Sequence, residues 1–199
     1  RGDALTTGFI GSRFILPALC DAGETELAYR LIKRTEYPSW GYMLAQGATT
    51  VWERWNGYTA EHGFEDPEMN SLNHYSLGSC TEWLYSYVLG IKLSADSEKT
   101  IISPSFSREI SCARGGTRLS GGNIFVSWKY EKSAVRLTVV AADGVDYEID
   151  KGLGSLASIE KRGNDTVAVF ATDGNSDGAF SRRDERSCDT RAAKRCICP

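Results

Sequence analysis

The spacing of apolar residues changes once along this chain, and that change restricts the fold to a helical part followed by a sheet-rich part. Toward the end of the first part, apolar or small residues recur at Met69, Leu72, Ser76, Cys80, Trp83, Leu84, Tyr87, Val88 and Ile91, close to the 3.6-residue period of a helix buried on one face. Their spacing predicts one long helix ending near Gly90. Beyond Lys92 the period falls toward two. The runs Ile101-Ile102, Ile110-Ser111-Cys112, Asn123 to Tyr130, Val135 to Val140, Tyr147-Glu148-Ile149 and Val167 to Phe170 are short, β-branched and aromatic. Turn-forming strings such as Arg114-Gly115-Gly116 and Gly121-Gly122-Asn123 separate them, a pattern of antiparallel hairpins.

Upstream, Arg13 to Thr35 reads as two helices joined at Asp21-Ala22-Gly23. Phe14, Leu16, Ala18 and Leu19 supply one apolar face, Leu27, Ala28, Leu31 and Ile32 the other, and Gly23 supplies the stop. Two such helices make an αα-hairpin. The Pro38 and Gly41 of Tyr37 to Tyr42 break the pattern, and Thr59 to Glu68 reads as a polar loop. The expected class is therefore α+β and multidomain: helical hairpins over 1–92, an antiparallel β-sandwich-like domain over 93–172, and a tail over 173–199. That tail is poor in large apolar residues and rich in Arg, Asp and Ser, so it is expected to be disordered or an aberrant end of the reading frame.

A net charge of only -3, with both signs interspersed, argues against a nucleic-acid partner or a polybasic membrane patch. No run reaches the roughly 18 apolar residues of a membrane helix, and the start, Arg1-Gly2-Asp3, has neither an initiator Met nor a signal-type apolar region. The chain reads as cut from something longer. Cys20, Cys80 and Cys112 are expected to be small buried thiols. Cys188, Cys196 and Cys198 crowd the end without a CxxC pair or neighbouring histidines, so no metal site is expected.

The chemistry concentrates in Ala48-Thr49-Thr50-Val51-Trp52-Glu53-Arg54-Trp55-Asn56-Gly57. One carboxylate stands between two indoles beside small hydroxylated residues. Aromatic faces stack on the apolar side of a pyranose, and a carboxylate beside them can take a proton from an attacking water. Glu53 is the candidate catalytic residue on that ground. The same string also fits a part-buried turn whose carboxylate pairs with Arg54 or is solvated. Likewise His74 reads either as a sugar ligand or as a helix-start histidine bonded to a backbone carbonyl, and Asn73 as a substrate contact or a helix cap. Trp40, Trp52 and Trp55 read as pocket wall or as core.

Several strings together resemble bacterial-type α-L-rhamnosidases of glycoside hydrolase family 78. They are Leu5 to Gly11, Leu16-Pro17-Ala18-Leu19, Tyr37 to Met43, Gly47 to Trp55, and Met69-Asn70-Ser71-Leu72-Asn73-His74-Tyr75. The resemblance covers residues 1 to about 92 and extends through the β-rich stretch to about 150. It implies the last hairpins of an (α/α)6 barrel followed by the family's C-terminal β domain. It further implies inverting hydrolysis of terminal α-L-rhamnosyl residues by two carboxyl groups, with the general base at Glu53 and a sugar-binding histidine at His74. Trp40, Trp52, Trp55 and Asn73 are the accompanying substrate-contact candidates. The resemblance also implies that the acid lies upstream of this chain and that bond cleavage needs no metal or organic cofactor. Two other classes fit parts of the pattern: a non-catalytic carbohydrate-binding module, and another glycosidase or lyase on the same barrel.

Overall fold

The computed structural model describes residues 4–66, 68, 71–93 and 99–171. The readings made for Met69, Asn70 and the 173–199 tail lie outside the described residues. The chain divides into two compact units, Arg1–Lys92 with Ser103–Glu109, and Leu93–Ile102 with Ile110–Pro199.

The helical unit opens with the expected αα-hairpin, α1 (Phe9–Asp21) and α2 (Thr25–Lys33). Gly23, at φ +83°, makes the reversal between them. A short α3 (Trp40–Ala45) follows where a break was expected. Ser39 starts it, its hydroxyl oxygen accepting the Tyr42 N–H at 3.0 Å, so the Pro38 side of the string is the break and the Gly41 side is helix. Gly41 stays small for packing: a Cβ there would lie 2.3 Å from the Arg34 carbonyl oxygen. Within the expected polar loop sits a small hairpin, β1 (Tyr58–Thr59) with β2 (Gly63–Phe64).

The expected long helix begins later than its periodicity suggests. Ser71 to His74 are extended or turn residues, and helix runs as α4 (Tyr75–Gly78) and α5 (Cys80–Trp83) into a π-helical turn over Leu84–Val88. Trp83 anchors this run: fully buried, it meets Tyr29 of α2 edge-on at 5.0 Å and donates its indole N–H to the Cys20 sulfur at 3.2 Å. The Tyr87 hydroxyl donates to both carboxylate oxygens of Asp21, at 3.0 and 3.1 Å. Burial first, and then the Asp21 carboxylate, push that phenol up to about 12.

Ser103–Glu109 departs from a simple division at residue 92, because this segment packs back on the helical unit. Tyr29 donates its hydroxyl to the Ser105 carbonyl at 2.9 Å, the Ser107 hydroxyl donates to the Glu26 carboxylate at 2.7 Å, and Lys33 pairs with Glu109 at 3.0 Å. Backbone bonds to the Gly90 and Tyr87 carbonyls tie its start to the end of the helical run. Gly90 is required on two counts, a φ of +74° and a Pro104 nitrogen 2.1 Å from where a Cβ would stand.

A short strand β3 (Ile91–Leu93) leads out of the helical unit. The second unit holds a five-stranded antiparallel sheet in the order β5-β6-β7-β10-β9, made of Cys112–Leu119, Gly122–Glu131, Ala134–Ala141, Asp165–Ala171 and Ser155–Arg162. Alternation sorts its faces: Ile124, Val126, Trp128, Val135, Leu137 and Val139 are buried, while Phe125 and Val140 are exposed. Not every pairing is antiparallel, since β4 (Thr100–Ile102) and β8 (Tyr147–Ile149) pair in parallel. Tyr147 and Thr166 share a hydroxyl–hydroxyl bond of 2.6 Å.

Arg114-Gly115-Gly116 is the middle of β5, not a turn: Gly116 faces Phe125, and a Cβ on it would stand 2.5 Å from that ring. Strand β9 had no alternating apolar signal because all eight of its residues are exposed. Among the cysteines Cys20 and Cys80 are free thiols, and burial pushes Cys80 up to about 11. Cys112, expected as a free buried thiol, is disulfide-bonded and half-buried.

Trp128 is the largest fully buried side chain of the sheet unit, set edge-on to Tyr130 at 5.9 Å. Trp128→Ala should cost about 3–5 kcal/mol, read as a lower urea midpoint for that unit, whereas Phe125→Ala on the open face should cost far less.

Candidate active site

Two chain segments build the candidate site, and their backbones hold each other. Gly47, at φ +88°, ends α3 and releases the chain into the Ala48–Gly57 loop. The second segment, Ser71 to His74, runs alongside it into α4. The Thr50 hydroxyl donates to the Leu72 carbonyl, the Glu53 N–H donates to the Ser71 carbonyl at 2.9 Å, and the His74 N–H donates to the Val51 carbonyl at 2.8 Å. The Ser71 N–H closes the clasp by donating to Glu53 Oε2 at 3.1 Å. A carboxylate and an imidazole from sequence positions far apart are thus set by one strand-like ladder.

Glu53 is half-buried, one carboxylate oxygen occupied by that backbone donor. Its neighbour Arg54 turns its guanidinium to Asp66 at 3.9 Å, a distance and exposure at which an ion pair contributes little. The Glu53–Arg54 pairing that the sequence left open is therefore not how this turn is built.

Of the three indoles read as pocket wall or as core, Trp40 and Trp52 are buried. Trp52 is 4% exposed and packs with Met43 and Leu77, with Tyr58 edge-on at 6.2 Å. Trp40 is 6% exposed and spends its indole N–H on the Leu77 carbonyl at 2.9 Å. An indole buried on both faces cannot stack on a sugar. Trp55 is half-buried, edge-on to Trp40 at 5.1 Å, and is the one indole of the three that keeps accessible surface of any extent. The aromatic string acts mainly from beneath, fixing the loop on which Glu53 sits.

His74 is the N-cap of α4, its Nδ1 accepting the Ser76 N–H at 3.3 Å. The partner is a backbone N–H rather than the carbonyl considered above, and the capping alternative weighed for Asn73 belongs to His74 instead. Phe9 and Tyr75 lie on the imidazole with ring centroids at 5.2 and 5.1 Å and interplanar angles of 27° and 21°. Asn73 is exposed; its N–H donates to the Ser71 hydroxyl at 3.3 Å, and that hydroxyl donates to the Asn73 carbonyl at 3.1 Å.

Sequence reasoning missed Ser71 and Phe9. Ser71 carried a weak signal, a hydroxylated residue two before Asn73 in a turn. Phe9 carried none, since only the packing of α1 brings it to His74. Among the described residues no group of three or more His, Cys, Asp or Glu is placed to hold a metal ion, and no helix is long and apolar enough to cross a membrane.

Packed helical hairpins that deliver a carboxylate and an imidazole on adjoining loops, followed in the chain by a sheet-rich unit, fit the six-hairpin glycosidase class. Residues 1–88 match the bacterial alpha-L-rhamnosidase 6 hairpin glycosidase domain. The alpha-L-rhamnosidase of Alteromonas sp. (strain LOR) is 39% identical over 145 residues, covering 72% of this chain and 16% of that protein. The alpha-L-rhamnosidase of Streptomyces avermitilis is 40% identical over 135 residues, covering 67% of this chain and 13% of that protein. The chain thus spans about a sixth or less of the length of these curated relatives. Among solved structures, Streptomyces avermitilis alpha-L-rhamnosidase complexed with L-rhamnose superposes with a TM-score of 0.69 at 31% identity, over 85% of this chain and 17% of that one. Native alfa-L-rhamnosidase from Aspergillus terreus gives 0.67 at 23% identity, over 84% and 19%, a likeness of fold.

Proposed function

We propose that this chain carries the general-base half of an inverting α-L-rhamnosidase, with Glu53 as the base, His74 binding the sugar, and Trp55 and Asn73 beside it. The observation that carries the reading is the clasp in which Ser71 N–H holds Glu53 Oε2 while the same ladder holds His74. With Oε2 occupied, Oε1 is the oxygen that takes the proton of the attacking water. Inversion requires that water to fit between base and anomeric carbon, so the partner acid stands roughly 6.5–9.5 Å from Glu53. That acid comes from the part of the barrel upstream of residue 1, and the substrate is a terminal α-L-rhamnosyl glycoside. The similarity to alpha-L-rhamnosidases, one of them solved in complex with L-rhamnose, supports this substrate class.

The exposed apolar pair Ile10 and Phe14, one turn apart on α1, fits a helix whose packing partner belongs to the rest of the barrel. The isolated chain should show no turnover of p-nitrophenyl α-L-rhamnoside, because one carboxyl group cannot both protonate the leaving oxygen and activate water from the opposite face. Appreciable turnover by the chain alone, abolished by Glu53→Gln, would overturn the upstream placement of the acid.

A further inference from the structure

We infer that Phe9 is a positioning residue for His74, holding its imidazole so that Nδ1 stays on the Ser76 N–H and Nε2–H is the group offered to a ligand hydroxyl oxygen. The inference rests on the sugar-binding reading of His74 and adds to it which nitrogen acts and what holds it there. A neutral imidazole carries one N–H, and the nitrogen that accepts a hydrogen bond is the one without it. Nδ1 accepts from Ser76 at 3.3 Å, so the proton belongs on Nε2.

That bond alone is long and leaves the ring free to turn about its Cβ–Cγ axis, which would exchange the two edges. Two near-parallel rings hold the imidazole plane and hinder that turn, so that the Ser76 bond selects the edge: Phe9 at 5.2 Å and 27°, Tyr75 at 5.1 Å and 21°. The two are not equivalent. Tyr75 is 84% exposed and adjoins His74 in the chain, so it moves with the segment it covers. Phe9 comes from a separate element, the first residue of the thirteen-residue α1. The two residues before it are tied to Ser12, which donates its N–H to the Gly8 carbonyl at 2.9 Å and, buried, shares a hydroxyl bond of 3.0 Å with Thr7. Phe9 therefore fixes the imidazole plane relative to α1, which the 50–53 and 71–74 ladder by itself does not.

The chain has two histidines, His62 and His74, so long-range proton–nitrogen spectra of the 199-residue chain labelled with ¹⁵N-histidine resolve both, with the exposed His62 as internal reference. At pH 8 the expected pattern for His74 is protonated Nε2 and bare Nδ1, with ring-to-ring Overhauser contacts from Phe9. Phe9→Leu should convert His74 to a mixture of tautomers and weaken L-rhamnose binding, followed at the same resonances, by roughly fivefold or more, while His62 and the far-ultraviolet dichroism stay put. Phe9→Tyr should preserve the wild-type pattern. A protonated Nδ1 in the wild type, missing Phe9 contacts, or a Phe9→Leu spectrum identical to wild type would overturn the inference. If Phe9→Leu fails to fold, the wild-type tautomer and contacts still decide. Absence of any L-rhamnose effect on His74 in the wild type would instead count against the sugar-binding reading, since the tautomer and its dependence on Phe9 are measured without ligand.

Discussion

Glu53→Gln should lower kcat by roughly 10²–10⁴-fold, the usual contribution of a positioned general base. The measurement uses this chain joined behind the upstream region of the Streptomyces avermitilis relative, in place of the matching segment of that protein, with p-nitrophenyl α-L-rhamnoside as substrate. Gln is the informative replacement. Its side-chain carbonyl still accepts the Ser71 N–H that Glu53 Oε2 accepts, so the clasp and thermal stability should survive while the ability to take a proton from water is lost. KM should change little. Glu53→Ala in contrast leaves the Ser71 N–H without its acceptor and should also lower the melting temperature. A Gln variant within tenfold of wild type would place the base elsewhere.

Ending the chain at Lys92 should abolish cooperative folding of the helical unit. Such a truncation keeps every helix yet removes Ser103–Glu109, and with it Ser105 from Tyr29, Ser107 from Glu26, Glu109 from Lys33, and the backbone bonds to Gly90 and Tyr87. Five such bonds at about 1 kcal/mol net each are worth about 5 kcal/mol, as large as the whole stability of a marginal domain. Removal of the segment also wets Tyr29 and its ring contact with Trp83. The 1–92 chain should keep a helical far-ultraviolet spectrum and lose the near-ultraviolet aromatic signal and the sharp melt expected of the 199-residue chain. Equal melting of the two chains would make the segment dispensable.

The helical and sheet-rich parts were legible in the sequence because each rests on a repeated local signal: the face of α2, the stop at Gly23, and the alternation through β6 and β7; of the face expected for α1 only Leu16 is buried, and Phe14 and Ala18 are exposed. What escaped depends on chain contacts with no local signature. Strand β9 shows all its residues to solvent, so burial wrote no pattern into it, and Gly115-Gly116 looked like a turn although the glycines answer to the Phe125 ring. The return of Ser103–Glu109 has a single local clue, Pro104 beside Gly90, and that clue exists only after folding. At the site, the residue types were legible and their roles were not. Trp40 and Trp52 sit in a string that reads equally as wall or floor, and only the Leu77 carbonyl and the Met43 and Leu77 side chains decide for floor. Glu53 and His74 stood out by chemistry, but the Ser71 N–H that orients the first and the Phe9 ring that covers the second lie in other segments.

Turnover of α-L-rhamnosyl fluoride by the Glu53→Gln variant of the joined protein tests most directly whether Glu53 is the base. Fluoride departs without help from a general acid, so loss of an acid is masked on this substrate, whereas loss of the group that activates water is not. With Glu53 as the base, the variant should be as impaired on the fluoride as on the aryl glycoside. Recovery to near wild-type rates on the fluoride would make Glu53 the acid and contradict the assignment.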